Sequence, residues 1–288
     1  MANTKSEQVG GTKTTVLTVI STGLFVLVSS IIVFPVLAGF LASFRPGQEL
    51  FRRGLSLNLD FSTMTLKNYQ YIFSGNSDSL KYLNSFKNSL FLTFVTVVAT
   101  LVVCYFIAYG ISMYEFKLRN VLFFLVIATM MVPFEILMLP LYQEIIKLNL
   151  TDTTWGVVLP GVCGASTIFF FRQYMIGLPK ELLEAGRIDG ASEYGICTKI
   201  MLPIVKPAFA SMAILTSMGS WNNLLWPMLV YRSQAKFTLP VYLNGLLNPY
   251  GNNYDILIAG SMFSIIPVLA VFLCFQSYFI EGMVAGAV

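Results

Sequence analysis

The segment Glu181–Pro207, ELLEAGRIDGASEYGICTKIMLPIVKP, is a charged island between two long apolar runs. Pro179 suits a first helical position, Glu181 is favourable near a helix N-terminus and Arg187 near a C-terminus. Gly190 can adopt the left-handed conformation that closes a helix. A short helix over residues 179–189 is therefore predicted. On a helical wheel Lys180, Glu181, Glu184 and Arg187 share one side, while Leu182, Ala185 and Gly186 lie opposite. The small residues permit close approach of another backbone. Such a helix either docks in a protein cleft or rests on lipid headgroups, and amphipathicity alone allows both.

Of the 288 residues, 56% are hydrophobic and 11% charged, against about 25% charged in ordinary soluble domains. Thr14–Phe44, Asn88–Tyr114, Pro207–Tyr231 and Ile256–Ile280 carry no charge and exceed the roughly 20 residues needed to cross a bilayer. Thr153–Phe171 is just long enough, and Asn120–Tyr142 qualifies if Glu135 is tolerated. The expectation is an all-α integral membrane protein with six transmembrane helices, in contact with membrane lipid. Pro35 should bend the first span. The polar connection from Arg45 to Lys87 is too long for a bare loop. A helix is expected near Leu66–Phe73, followed by a turn at Ser74–Ser77. That connection is either a docking surface or a lid on the bundle.

Several chemistries have no visible home. There is no histidine, which removes the commonest general base and metal ligand. Cys104, Cys163, Cys197 and Cys274 are widely spaced, suggesting neither disulfides nor a metal site. No Gly-x-x-x-x-Gly-Lys-Ser/Thr phosphate loop occurs, so the chain is not expected to hydrolyse ATP. The net charge of +4 is modest, and nucleic acid is not an expected partner.

Two places inside the spans invite a functional reading. Glu135 is an ionisable group within an apolar run, which is costly in lipid and points to a cavity or a partner. It lines a substrate route, pairs structurally, or sits at the interface. Trp221, Asn222 and Asn223 precede Trp226-Pro227 in the fifth span. Pro227 cannot donate to the Asn223 carbonyl, so a polar notch is expected there. The notch either offers amides and aromatics to a sugar or bonds to a neighbouring subunit.

The central segment also resembles the EAA loop of bacterial ABC importer permeases. In that loop Glu-Ala-Ala is followed by three residues, a glycine, nine residues and Ile-x-Leu-Pro. Glu184-Ala185-Gly186, Gly190, Ile200 and Leu202-Pro203 stand at those intervals. Gly186 departs from the usual alanine, at a cost of up to about 1 kcal/mol of helix propensity. Arg187–Ser192, Lys87–Leu90, Trp221–Pro227 and the tail from Tyr278 to Ala287 look similar to the carbohydrate branch of the family, which includes maltose-type and glycerol-phosphate-type permeases.

The resemblance implies a type I ABC importer permease fold. Residues 1–13 would be a cytoplasmic tail, 14–83 the first helix with its external loop, 84–282 the permease core with a coupling loop over 179–206, and 283–288 a C-terminal tail. It implies a carbohydrate importer in a bacterial cell membrane, with both termini cytoplasmic. The partners would be a second permease subunit, two ATPase subunits that bind ATP and magnesium, and an extracytoplasmic binding protein. Glu184, Ala185, Gly186, Asp189, Gly190, Ile200, Leu202 and Pro203 would couple to the ATPases. The chain itself would need no cofactor or metal. Charge alone does not settle orientation, since nine of the 18 Lys and Arg fall on each side. An ion- or proton-coupled carrier is the alternative, but it would need more intramembrane titratable groups than Glu135. A non-transporting membrane scaffold is a third reading.

Overall fold

A computed structural model describes residues 11–46, 64–247 and 254–285, with side chains described from Thr18 to Gln276 within those limits. The expected N-terminal tail lies mostly outside the described residues. So do positions 47–63 of the long connection and 286–288 of the C-terminal tail.

The longest helices are α1 (Gly11–Ala42), α3 (Ser77–Met113) and the closing helix α13 (Tyr254–Ala285). Their apolar stretches are each long enough to cross a bilayer unaided. Pro35 and Pro267 lie inside α1 and α13 without ending either helix. Helix α3 begins eleven residues before the charge-free window, because the Asn76 side chain accepts the Ser79 N–H at 2.8 Å and caps its N-terminus. The long connection is shortened accordingly. It carries α2 (Lys67–Ile72), close to the expected helix.

The other crossings are bent pairs. Helices α4 (Arg119–Met130) and α5 (Phe134–Lys147) meet at 103°. Thr154–Gly161, which comprises α6 (Thr154–Val158) and a 3-10 turn, meets α7 (Ala165–Ile176) at 48°. Helix α8 (Glu181–Ile188) precedes α9 (Glu193–Ile204), which turns by 74° into α10 (Lys206–Trp221). Counting each pair as one span gives up to six crossings among the described residues. The short helices α11 (Leu225–Val230) and α12 (Leu239–Gly245) lead back to α13.

Helix α3 is the central post, packed along α7 and α10, while α10 packs along α13. Large apolar side chains on α1 and α4, such as Phe25, Ile32, Phe124 and Leu125, face outward, as lipid exposure requires. The interior has two ends. At one, Tyr105, Phe171, Met175, Leu183, Ile196, Met201 and Met212 form a continuous core. At the other, Leu92, Ile145, Val158, Trp226 and Val230 pack together.

Candidate functional site

Helix α8 closes as its sequence predicts, although it begins at Glu181 and leaves Pro179 outside, ahead of the N-cap Lys180. Gly190 has φ +75°, Ala191 N–H donates to Gly186 O at 3.0 Å, and Gly190 N–H to Arg187 O at 3.1 Å. These are the paired bonds of a Schellman cap. Its buried face, however, differs from the helical wheel. Leu183 and Gly186 are buried, whereas Ala185 is exposed. The cause is α9, which folds back against the side of α8 that carries Leu183.

The close approach centres on Gly186. A Cβ there would lie 2.7 Å from Ile200 Cδ1 and 3.1 Å from Ile196 Cγ1. The glycine at the third motif position is therefore a packing feature: it trades helix propensity for contact with α9. Glu184, Ala185 and Asp189 remain exposed, and Ile188 is 86% exposed. An outward face is thus presented on a packed base.

Helix α9 contains a π turn, Ile196–Met201, and is capped by Ser192, whose Oγ accepts the Gly195 N–H at 3.1 Å. Ion pairs and hydrogen bonds tie this assembly to the preceding loop. Arg187 Nε donates to Glu193 Oε1 at 2.7 Å, and the Tyr114 hydroxyl donates to Glu193 Oε2 at 2.7 Å. Lys180 Nζ lies 3.1 Å from Glu115 Oε1. The Arg187 hydrogen bond, followed by that of Tyr114, holds the Glu193 carboxyl below its ordinary value. Lys180 does the same for Glu115.

Ile200 packs on α8, Leu202 joins the core, and Pro203 is exposed in the last turn of α9. Buried Val205 forms the corner into α10. From Gly186 to Trp221 the chain is thus helix, corner, helix, with little slack.

Helix α10 ends at Trp221, and Asn222–Leu224 separate it from α11. This corrects the expected notch. The break arises where α10 stops and α11 restarts, with Pro227 already inside α11. Asn223 Oδ1 accepts the Trp226 N–H at 3.4 Å. A cavity of about 270 Å³ opens beside this break. Asn223, Trp226, Phe134, Thr96, Thr100, Ser166, Thr216 and Ser220 are among its lining residues. Thr100 is 3% exposed, and its hydroxyl has no hydrogen-bond partner among the described residues.

The other expected route residues lie elsewhere. Trp221 is buried in a separate cluster, 5.6 Å edge-on from the Phe86 ring. Asn222 is exposed and donates to Met218 O at 3.0 Å. Glu135 stands exposed in the first turn of α5, where a carboxylate suits a helix N-terminus. Its neighbour Phe134, rather than Glu135, lines the cavity.

Asp152 was not singled out by its sequence context. It adopts φ +57° between α5 and α6, and its Oδ1 accepts the Arg232 N–H at 3.0 Å and the Ser233 N–H at 3.2 Å. Lys236 Nζ lies 3.3 Å from Oδ2. Burial works to raise its pKa, but these donors prevail and bring it to about 2. The 232–237 segment is also held by Asn84 and Asn88, whose amides donate to Ala235 O at 2.6 and 2.8 Å. Asp152 therefore clamps the bundle end opposite α8. An aspartate tolerant of left-handed backbone was its only local signal.

A lipid-facing bundle with an interior cavity and a rigid amphipathic helix at one end is a multi-pass membrane transport subunit. The chain belongs to the family described as binding-protein-dependent transport system inner membrane component, whose model matches residues 102–285. It is 51% identical over 264 residues to the arabinooligosaccharides transport system permease protein AraQ of Halalkalibacterium halodurans, covering 92% of this chain and 94% of that one. It is 31% identical over 259 residues to the sn-glycerol-3-phosphate transport system permease protein UgpE of Yersinia enterocolitica, covering 88% and 91%. A solved bacterial ABC transporter involved in importing the acidic polysaccharide alginate has a chain of the same fold. Its TM-score is 0.79 at 24% identity, with coverage of 93% of this chain and 98% of that one.

Proposed function

We propose that this chain is a permease subunit of an ATP-driven importer for a carbohydrate, with short arabinose oligomers as the first substrate class to try. The carrying observation is the outward face of α8, presented on the Gly186–Ile200 contact and continuous through Val205 with the helix that ends beside the cavity. A partner pushing on Glu184, Ala185 and Asp189 would move α8, α9 and the head of α10 together, because their buried faces share one core. The likeness to the arabinooligosaccharide permease supports the substrate class.

The complete importer would contain a second permease, two ATPases that bind ATP and magnesium, and an external binding protein. This subunit would hold no cofactor and catalyse no hydrolysis. The end bearing α8 would face the cytoplasm of a bacterial cell. With six crossings, both chain termini would lie on that side. Asn223, Trp226 and the hydroxyls around Thr100 would line the substrate route, with Glu135, Trp221 and Asn222 outside its lining.

The test is purification of the intact complex followed by uptake of an arabinose oligomer into vesicles. ATPase subunits should co-elute, and Gly190→Asp should leave membrane insertion intact while abolishing uptake. Uptake that collapses with an uncoupler at maintained ATP would overturn the reading.

A further inference from the structure

The end of the bundle bearing α8 carries a pair of arginines that the transport reading does not use. Arg119 opens α4 and Arg172 lies in the second half of α7. Helices α4 and α7 pack together, and Arg172 lies over the ring of Phe123, one helical turn along α4 from Arg119, so the two side chains share one face. The Arg172 guanidinium carbon sits 3.6 Å from the centre of the Phe123 ring, and that ring stacks on Phe169 with centroids 6.0 Å apart. This aromatic floor fixes the head of Arg172 by a cation–π contact.

Neither arginine has an ion-pair partner among the described residues. Each Nε is buried without an acceptor, and Arg172 makes only a 3.4 Å contact with Gln173 Oε1. Glu115 feels the charge of Arg119 but is committed to Lys180 Nζ. Two partly exposed like charges thus lie on one face, each with its Nε buried and neither in an ion pair among the described residues. An anion would complete the arrangement by accepting from the unpaired guanidinium N–H groups.

We propose that Arg119 and Arg172 form a binding site for a phosphate oxyanion supplied by an anionic phospholipid headgroup. The chemistry fits, because two guanidinium forks present planar, paired donors to phosphate oxygens. The location fits as well. Val121, Leu122, Phe124 and Leu125 continue along α4 as exposed apolar residues, so an acyl chain can lie below a headgroup held at the arginines. Basic pockets between helices at a membrane face recognise anionic lipids in this way.

The test uses the intact complex, washed in detergent and then reconstituted into vesicles of phosphatidylcholine alone or with added phosphatidylglycerol. Native mass spectra should show phosphatidylglycerol retained by the wild type and lost from the Arg119→Gln/Arg172→Gln double variant. Phosphatidylglycerol should also raise the melting temperature of the wild type, and Arg172→Lys, which keeps the charge but not the fork, should respond less. Three outcomes overturn the proposal. One is equal lipid retention by wild type and double variant. Another is a thermal shift reproduced by inorganic phosphate in pure phosphatidylcholine, which would mean a free anion. The third is loss of a partner subunit from Arg172→Gln at equal expression, which would assign the arginines to a protein carboxylate.

Discussion

The Tyr105 hydroxyl donates to the backbone carbonyl of Cys197 at 2.7 Å, joining the middle of the central helix to the π turn of α9. That carbonyl also accepts the Leu202 N–H in the π turn's own backbone bond, so the phenol is its second donor. The Tyr105 ring is wedged beside Phe171 and Phe209, at 6.2 and 5.1 Å. Helices α3, α7, α9 and α10 therefore meet at one side chain.

Tyr105→Phe keeps that packing and the Leu202 N–H bond to the Cys197 carbonyl but removes one buried hydrogen bond, a loss of about 0.5–1.5 kcal/mol. The melting temperature of the complex should fall. If α9 transmits movement, the ATP hydrolysed per sugar transported should rise more than ATPase activity itself changes. Parallel assays of hydrolysis and uptake check this, and an unchanged ratio would leave Tyr105 with a purely structural role.

Gly186→Ala sets two effects against each other. Alanine improves helix propensity by up to about 1 kcal/mol, but its Cβ would meet Ile200 Cδ1 at 2.7 Å, and overpacking commonly costs about 1–3 kcal/mol. The single variant should be less stable and transport poorly. Adding Ile200→Val removes the offending carbon, so the double variant should recover. A double-mutant cycle on melting temperature measures this coupling, and simple additivity would contradict it.

At Gly190 a new Cβ would meet nothing within 4 Å, yet φ is +75°. Any penalty within this chain is therefore conformational, about 1–2 kcal/mol for an ordinary L residue. Asparagine tolerates this region better than alanine. Gly190→Asn should accordingly retain more uptake than Gly190→Ala, although its side chain is larger. The reverse order would mean that space at a partner surface decides.

Asp152 supplies a pH dependence with a definite sign. Its folded pKa lies near 2, below the ordinary value of 3.8. Its stabilisation is therefore fully present above about pH 4 and lost as pH falls towards 2. Asp152→Asn should lower stability at neutral pH by about 1 kcal/mol, as expected for weakening a partly exposed charged hydrogen-bond cluster. The gap between variant and wild type should close through that acidic window. Thermal unfolding in detergent across the range follows it.

The crossings were legible because lipid excludes charge, and a charge-free run of sufficient length records that exclusion directly. The bends were not, since Met131–Pro133 remain apolar whether the chain runs straight or turns by 103°. Helix α8 was legible at its C-terminal end, where Gly190 acts locally, and within two residues at its start, which falls at Glu181 and not at Pro179. Its buried face was not, because Leu182 and Leu183 offer adjacent alternatives and the choice depends on Ile196 and Ile200 in the next helix. Asp152 could not be weighed from sequence, since Arg232 and Ser233 lie about 80 positions away.

The cavity makes the most discriminating prediction. The buried Thr100 hydroxyl lines it without a partner among the described residues, so Thr100→Val removes an unsatisfied group while nearly preserving shape. If the hydroxyl has no ligand, the variant should be as stable or slightly more stable and transport normally. If it meets a sugar hydroxyl during passage, stability should hold or rise while uptake falls by up to about tenfold, the equivalent of one hydrogen bond. Asn223→Ala should lower uptake too, but with some loss of stability, because Asn223 also accepts from Trp226 N–H. Melting temperature and initial uptake rate, measured on the same preparations, separate the two. A Thr100→Val complex with unchanged stability and unchanged uptake would remove this hydroxyl from the substrate route.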